Sequence, residues 1–148
     1  MSTYTQIIYH IVFSTKNREK TLSFCHHESL FRYIWGILNK KQCTLYQING
    51  TEDHLHILTH LHPNERLADL IKDIKLATNH WNKTENVFPN FRGWQNGYGA
   101  FTCSENQKEK LVQYIKRQKE HHKHVDFKEE LISLLNEHGV TYDEKYMG

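Results

Sequence analysis

The chain has 148 residues, the size of one ordinary domain, which excludes a multidomain machine. Apolar residues make up 38% and charged residues 24%, so the chain can bury a core and lacks the bias of a disordered protein. The longest apolar stretch, residues 7–13, is interrupted by His10 and is far shorter than the roughly 20 residues that span a bilayer. The first residues lack the basic and apolar regions of an export signal, so we expect no membrane association and a cytoplasmic location.

The charge is small in total but unevenly distributed. Residues 1–125 carry 17 basic and 11 acidic residues, whereas residues 126–148 carry 2 and 6, so a body of +6 precedes a tail of −4. A moderately basic body suits a polyanionic partner, although many proteins without such a partner carry as much charge. The three cysteines have no C-x-x-C spacing and are expected to be reduced, whereas the 12 histidines are unusual for this length.

The first half of the chain predicts a strand, a helix and a hairpin. Residues 5–14 alternate with apolar side chains on both sides, which predicts a central strand. Residues 27–40 place apolar residues three and four apart, the period of a helix that faces a core. Two further β-type runs, 43–49 and 53–60, are separated by a short segment around Gly50 and predict a hairpin.

The second half predicts two helices and a further strand before the tail. Asn64 is the predicted N-cap of a helix whose apolar stripe extends to Trp81. Residues 98–103 predict a fourth strand, in which Gly99 indicates a bend or a close approach of the backbone. Ser104 and the glutamine three residues later form a capping box, which predicts a helix through about residue 122.

The tail predicts one more helix and completes the order of elements. Asp126 and Glu129 form the start signal of a helix that ends before Gly139. The order β α β β α β α α predicts an α+β fold: a ferredoxin-like or RRM-like antiparallel sheet with helices on one face and added C-terminal helices. We therefore divide the chain into a main domain, residues 1–125, and a C-terminal helical tail, residues 126–148.

Two histidines in the predicted hairpin are candidate metal ligands. On a strand, side chains alternate, so His54 and His56 project from one face while Leu55 points to the other. Neutral imidazoles bind divalent transition metals, and two adjacent donors converge with little reorganisation. Taken alone, an H-x-H pair is more often a polar patch on an exposed strand face, so this alternative stays open.

A tyrosine and a glutamine on the third predicted helix form a second candidate pair. Tyr114 and Gln118 are one turn apart on one helix face, which His121 and His122 continue. The alternative is that Tyr114 is a core aromatic residue and Gln118 is solvated. Joined with the H-x-H pair, Gln118 would complete a metal site that has open positions for a phosphodiester, and Tyr114 would be the nucleophile.

The donor types indicate which metal this site would take. Two imidazoles and an amide oxygen are neutral, so the ion would keep its charge available for a phosphate. Magnesium prefers oxygen donors, whereas imidazoles shift the preference toward manganese. We therefore predict a divalent metal, Mg or Mn, as the cofactor.

Five segments of the chain together resemble one family, the single-tyrosine HUH transposases, which comprise small bacterial insertion-sequence transposases and REP-associated tyrosine transposases. The segments that carry the resemblance are 9–18 (YHIVFSTKNR), 53–56 (DHLH), 70–75 (LIKDIK), 94–101 (WQNGYGAF) and 114–122, which begins YIKRQ. The one departure that we note is Arg117, where relatives often carry Asn; it leaves all proposed ligands in place and adds a cation.

The resemblance implies an RRM-like catalytic core, with His54, His56 and Gln118 as metal ligands and Tyr114 as the nucleophile. It implies cleavage and rejoining of single-stranded DNA at hairpin-bearing element ends through a 5′-phosphotyrosine link, with release of a 3′-hydroxyl and without ATP. Many members are homodimers in which the tyrosine helix of one subunit completes the site of the other, while REP-associated members are often monomers. We expect a homodimer, but the sequence does not decide whether one chain or two complete the site.

Seven basic residues are predicted to contact DNA phosphates, although each taken alone is more often a solvated surface charge. They are Lys16, Arg18, Lys72, Lys75, Arg92, Lys116 and Arg117. Trp94 and Tyr98 would stack on unpaired bases or pack in the core. Two other functions remain open: a catalytically silent protein that binds hairpin DNA or RNA, and an RNA-binding regulator that uses an RRM-like sheet.

Overall fold

The structure, a computed structural model, describes residues 2–146. Met1, part of the segment searched for an export signal, and residues 147–148, at the end of the predicted tail, lie outside the described residues. Within that range the elements are β1 (Ile8–Ser14), α1 (His27–Lys40), β2 (Leu45–Gly50), β3 (His54–His60), α2 (Leu67–Glu85), β4 (Gly99–Cys103), α3 (Glu105–Lys116), α4 (Gln118–His121) and α5 (Phe127–Glu137). Short 3-10 turns precede α1 and follow β1 and α5.

The four strands form one antiparallel sheet in the order β2-β3-β1-β4. The β2–β3 hairpin places β3 between β1 and β2, and the α2 connection brings β4 to the free edge of β1. Ile11 is aligned with Ile57 of β3 on one side and with Ala100 of β4 on the other. This arrangement confirms the predicted α+β, ferredoxin-like fold and the central position of β1.

The first face of the sheet is covered by α1 and α2, as predicted for the core helices. Ile11 and Phe13 of β1 and Leu55 and Ile57 of β3 point to this face and are almost completely buried. The helices contribute an apolar stripe at helical spacing: Leu30, Ile34, Leu38, Leu70, Ile71 and Ile74. This layer forms the larger core of the protein.

The second face is covered by the added helices. Ile8 and Leu58 pack with Ile115 of α3, and a separate cluster joins Val12 and Phe101 to buried side chains of α5. The same face of the sheet carries His10, His54 and His56. Side chains two residues apart on a strand point to the same face, and these histidines are two or four residues from Ile8, Val12 or Leu58. The polar side chains of the sheet therefore lie beneath the C-terminal helices.

The helix starts agree with the predicted signals at two of three positions. The Asp126 carboxylate accepts a hydrogen bond from the Glu129 N–H at 2.8 Å, and Gln107 Oε1 accepts one from the Ser104 N–H at 3.4 Å. The predicted N-cap at Asn64 is wrong, because α2 begins at Leu67. Residues 62–65 first form a turn, in which the Asn64 N–H donates to His62 Nδ1 at 3.1 Å.

The predicted long third helix is divided at Arg117, where φ and ψ are −94° and 13°. The division follows from a side chain of β2. Asn49 Nδ2 donates to the carbonyl oxygens of Ile115 and Lys116 at 3.0 and 3.1 Å, which satisfies acceptors at the end of α3. The chain then turns and restarts as α4 at Gln118, so this glutamine enters the layer between sheet and helices.

Gly99 allows β4 to approach β1, as its place in the sequence indicates. A Cβ atom at this position would lie 2.8 Å from Cγ2 of Val12, closer than real contacts allow. Every helix within residues 2–146 is too short or too polar to cross a lipid bilayer.

Candidate active site

The two histidines of the H-x-H motif are both fully buried, so the alternative of an exposed polar strand face is wrong. His54 Nδ1 lies 2.7 Å from Oδ1 of Asp53 and 2.9 Å from Oγ1 of Thr51. His56 Nδ1 lies 2.8 Å from Nε2 of His10. Because both Nδ1 atoms are held from behind, both Nε2 atoms point into the layer beneath the C-terminal helices.

Gln118 and Tyr114 reach this same place from α4 and α3 of the same chain. Gln118 is fully buried, and its Oε1 lies 3.3 Å from His54 Nε2, so the solvated alternative for this residue is wrong. Tyr114 is partly buried, and its ring centroid is 5.9 Å from that of His56. The structure therefore brings all four predicted site residues together within one chain.

Glu130 of α5 occupies the centre of this cluster and was not predicted. Its carboxylate is 2% exposed and contacts side chains from four other elements or loops. Its neighbours are His54 at 3.4 Å, His56 at 2.9 Å, His122 at 2.8 Å, the Gln118 amide at 3.0 Å, His121 at 3.5 Å and the Tyr114 hydroxyl, which donates to Oε2. The expectation that only neutral donors surround the site is wrong, because this carboxylate lies among them.

The spacing of residues in α5 indicates that Glu130 is buried, although no motif in the sequence contains it. Phe127, Glu130, Leu131 and Leu134 are spaced i, i+3, i+4 and i+7, so the acid lies on the apolar stripe of its helix. A charged residue on a buried stripe requires partners, since burial of an unpaired carboxylate is costly. Its position on the helix therefore indicated a polar cluster beneath α5.

The donor set fits a divalent metal ion. One nitrogen or oxygen from each of His54, His56, His122 and Glu130 lies within 4.8 Å of the others, and Gln118 Oε1 approaches the same nitrogen of His54. Imidazole nitrogens with carboxylate and amide oxygens are ligands that manganese and its neighbours accept. The residues present could therefore hold such an ion, with His122 and Glu130 added to the predicted set.

A family model described as "Transposase IS200 like" matches residues 3–118, which is most of the chain. The chain belongs to the IS200-like transposase family. This confirms the resemblance that the motifs indicated. The match includes His54, His56, Tyr114 and Gln118, whereas His122 and Glu130 lie beyond its end.

Two solved structures share the fold of this IS200-like transposase. A Deinococcus radiodurans R1 protein assigned as a transposase has 23% identity and a TM-score of 0.60, covering 80% of this chain and 95% of its own. A REP-associated tyrosine transposase bound to a REP hairpin has 17% identity and a TM-score of 0.63, covering 84% of this chain and 76% of its own. A comparison with curated protein sequences finds no match.

Burial and neighbouring charges shift the pKa values of the histidines in this transposase in different directions. Burial lowers the pKa of His56 to about 4 and that of His10 to about 3. Burial also acts to lower the pKa of His54, but its bonds to the Asp53 and Glu130 carboxylates outweigh burial and raise that pKa. The site thus contains neutral and charge-stabilised imidazoles side by side.

The tyrosine and the central carboxylate are shifted in opposite directions. Burial raises the pKa of Tyr114, and the negative charge of Glu130 raises it further. Burial acts to raise the pKa of Glu130 too, but hydrogen bonds from His122, His54 and His56 outweigh it and hold this pKa far below its usual range. Without a metal, the pair is therefore an ionised carboxylate and a protonated phenol.

The predicted DNA-contacting residues are dispersed, and some already have partners within the chain. Lys75 Nζ donates to the carbonyl oxygens of Gln95 and Gly97 at 3.0 and 2.7 Å, and Arg92 pairs with Glu19. Lys16, Lys72, Lys116 and Arg117 are exposed. Arg18 lies 5.6 Å from the ring centroid of Phe127 and lines a cavity of about 350 Å³ beside α5.

Trp94 and Tyr98, which were predicted either to stack on bases or to pack in the core, differ in their exposure. Trp94 is 9% exposed, and its indole N–H donates to Thr78 Oγ1 at 2.8 Å, so it belongs to the core. Tyr98 is 45% exposed and lines the same cavity as Arg18. Base stacking therefore stays a prediction for Tyr98 alone.

Proposed function

We propose that the protein is a metal-dependent DNA transposase that cleaves and rejoins single-stranded DNA through a 5′-phosphotyrosine link at Tyr114. The observation that carries this proposal is the convergence of Tyr114, His54, His56 and Gln118 on one cluster of a single chain. Membership of a transposase family supports the same chemistry. The site residues and the single-tyrosine mechanism are part of the proposal.

The proposed metal site uses Nε2 of both β3 histidines. His54, His56 and Gln118 would hold the ion, together with His122 and Glu130 from the C-terminal segment. The bound ion, Mg or Mn, would polarise the scissile phosphate and orient it toward the phenol. The chain's own contribution is to hold both imidazoles in fixed orientations, His54 through Asp53 and His56 through His10, and away from bulk water.

In the proposed reaction, the hydroxyl oxygen of Tyr114 forms a bond to the phosphorus while the bond from phosphorus to the 3′ oxygen breaks. The products are a 5′-phosphotyrosine and a free 3′-hydroxyl, and the phenol proton is balanced by the proton that the 3′ oxygen gains. Glu130 Oε2 accepts the hydrogen bond of this hydroxyl, so it orients the phenol oxygen for attack. Rejoining is the reverse reaction with another 3′-hydroxyl.

The proposed substrate is single-stranded DNA with a hairpin near the cleavage point. A transposase with the same fold is bound to a REP hairpin, and a basic body is suited to the backbone phosphates. Phosphate contacts by the seven predicted basic residues and a homodimeric assembly are parts of this proposal. One chain already supplies the phenol and the imidazoles, so a dimer would not be needed to bring them together.

The geometry favours this function over the two alternatives. A silent hairpin-binding protein would not require a phenol, an amide, two buried imidazoles and a partly buried one around one carboxylate. An RRM-type RNA regulator uses an open sheet face, and here α1 and α2 cover one face while α3 to α5 cover the other.

The test is covalent capture of cleaved DNA. We expect the protein with Mn²⁺ and a hairpin-bearing single strand to give an adduct that survives denaturation and maps by mass spectrometry to Tyr114. Tyr114→Phe should abolish the adduct, whereas Tyr46→Phe should retain it, since Tyr46 packs in the same cluster but lies at the bulge of β2 opposite Leu58 and Thr59. An undiminished adduct in Tyr114→Phe would contradict the proposal. Tight hairpin binding without cleavage under any metal would favour the silent protein.

A further inference from the structure

We propose that His10 is a positioning residue that acts through His56: its Nε2 holds Nδ1 of His56, so that Nε2 of His56 is presented to the metal. The inference deepens the proposed function and depends on its metal site. It concerns a residue that the first strand's apolar pattern left unexplained, since His10 interrupts an otherwise apolar run.

The contact between the two rings is short and rigidly supported. His10 Nε2 and His56 Nδ1 are 2.8 Å apart, and the ring centroids are 5.0 Å apart with the ring planes inclined by 25°. The side chains are 1% and 0% exposed. They belong to adjacent strands in a fixed register, in which Val12 is the direct partner of His56 and His10 is its diagonal neighbour. The sheet itself therefore sets their separation.

Packing alone does not explain a histidine at this position. Its neighbours on the same strand face, Ile8 and Val12, are apolar and buried. A buried polar ring in a central strand is costly unless it is hydrogen-bonded, and His56 is the partner that the structure provides. An aliphatic residue would fill the space without that cost, so the imidazole is explained by what it does to His56.

A hydrogen bond between two imidazoles needs one N–H and one lone pair. To bind a metal, His56 must present a lone pair at Nε2 and carry its proton on Nδ1, which then donates to Nε2 of His10. In the structure His56 Nε2 lies 2.9 Å from a Glu130 oxygen, which requires an N–H there and makes His10 the donor. A histidine at position 10 can serve in both states, because its Nε2 donates in the Nε2–H tautomer and accepts in the Nδ1–H tautomer.

His54 has an equivalent support of different chemistry. Its Nδ1 is held by Asp53 at 2.7 Å, so each of the two ligand imidazoles is fixed from behind by a separate side chain. Loss of such a support typically lowers metal affinity about 10- to 100-fold, because the ligand ring loses its orientation and its tautomer.

The experiment measures Mn²⁺ binding by full-length protein, with free Mn²⁺ followed by its paramagnetic resonance signal. His10→Leu should raise the dissociation constant about 10- to 100-fold. His10→Gln places an amide near the Nε2 position and should retain most of the affinity. Ile8→Ala is the matched control, because it opens a cavity on the same strand face and should lower thermal stability while leaving the Mn²⁺ affinity unchanged.

The outcomes separate this inference from the proposed function. No Mn²⁺ binding by the unaltered protein would overturn the metal site itself. Binding by the unaltered protein and equally by His10→Leu would overturn only the role of His10. Equal losses for His10→Gln and His10→Leu would overturn it as well, since they would mean that the ring matters only for packing. If His10→Leu does not fold, His10→Asn, whose amide is too short to reach His56, takes its place against His10→Gln.

Discussion

At the scale of single residues, the site is organised around one carboxylate. Glu130 accepts hydrogen bonds from imidazole, amide and phenol donors, and although burial acts to raise its pKa, the bonds from the imidazoles hold it ionised. Glu130 can act in two ways, as a metal ligand or as a partner of Tyr114. As a metal ligand it adds a negative charge to the ion's surroundings, and as a hydrogen-bond partner of Tyr114 it orients the nucleophile.

Replacement of Glu130 by Gln tests its action as a metal ligand. The amide keeps the volume but loses the charge, so we expect the Mn²⁺ dissociation constant to rise at least about 10-fold, measured by calorimetry. Glu129→Gln is the control, because Glu129 is exposed on the same helix. An unchanged affinity in Glu130→Gln would mean that this carboxylate is not a ligand.

At the scale of elements, the start of α1 contains a buried histidine unrelated to the site. His27 is 4% exposed, and its Nε2 lies 2.9 Å from the carbonyl oxygen of Leu22. Burial lowers the pKa of His27 to about 4. The folded state therefore keeps this ring neutral at pH values where the unfolded chain, with a pKa of about 6.5, takes up a proton.

This histidine predicts a pH dependence of stability. Its contribution is fully present above pH 6.5 and is lost as the pH falls toward 4, because the unfolded state then binds more protons. Denaturant unfolding from pH 7 to pH 4.5 should show a smaller loss of free energy in His27→Gln, by about 1 to 3 kcal/mol. His26→Gln, at an exposed neighbouring position, should keep the full loss. Identical pH profiles for the unaltered protein and His27→Gln would refute this prediction.

At the scale of the whole molecule, the acidic tail is packed against the basic body. Phe127 and Leu134 of α5 are buried against Val12 and Phe101, and the same helix delivers Glu130 to the histidines. The family match ends at residue 118, so this contribution comes from outside the matched segment. We keep the division into 1–125 and 126–148 as a proposal, with α5 contributing to the site of the first part.

The packing of α5 predicts that the tail contributes to the stability of the whole chain. Leu134→Ala removes a 7%-exposed side chain from the layer over the sheet and should lower the free energy of unfolding by about 2 to 4 kcal/mol. Ser133→Ala, exposed on the same helix, should change it by less than about 0.5 kcal/mol. The measurement is chemical denaturation followed at the tryptophans. A main transition unaffected by Leu134→Ala would indicate a tail that folds independently.

Local patterns in the sequence determined the elements, the pairing of His54 with His56 and the helix starts at Ser104 and Asp126. These features depend on neighbours a few residues away, through the two-residue period of strands and the spacing of capping groups. The motifs also determined the family. The sequence also predicted Tyr114 and Gln118 on one face of a single helix, whereas the structure divides that helix at Arg117 and places the two residues on α3 and α4.

Only the tertiary structure decided how the distant side chains of the site meet, and it alone brought Glu130 and His10 into that site. Gln118 meets His54 across 64 positions and Glu130 meets His56 across 74, and these meetings depend on sheet order and on which face the last helices cover. The same applies to His10, whose partner is 46 positions away on a neighbouring strand. Periodicity tells which face of its own element a residue occupies, but not what lies opposite, because that is set by packing among elements far apart in the chain.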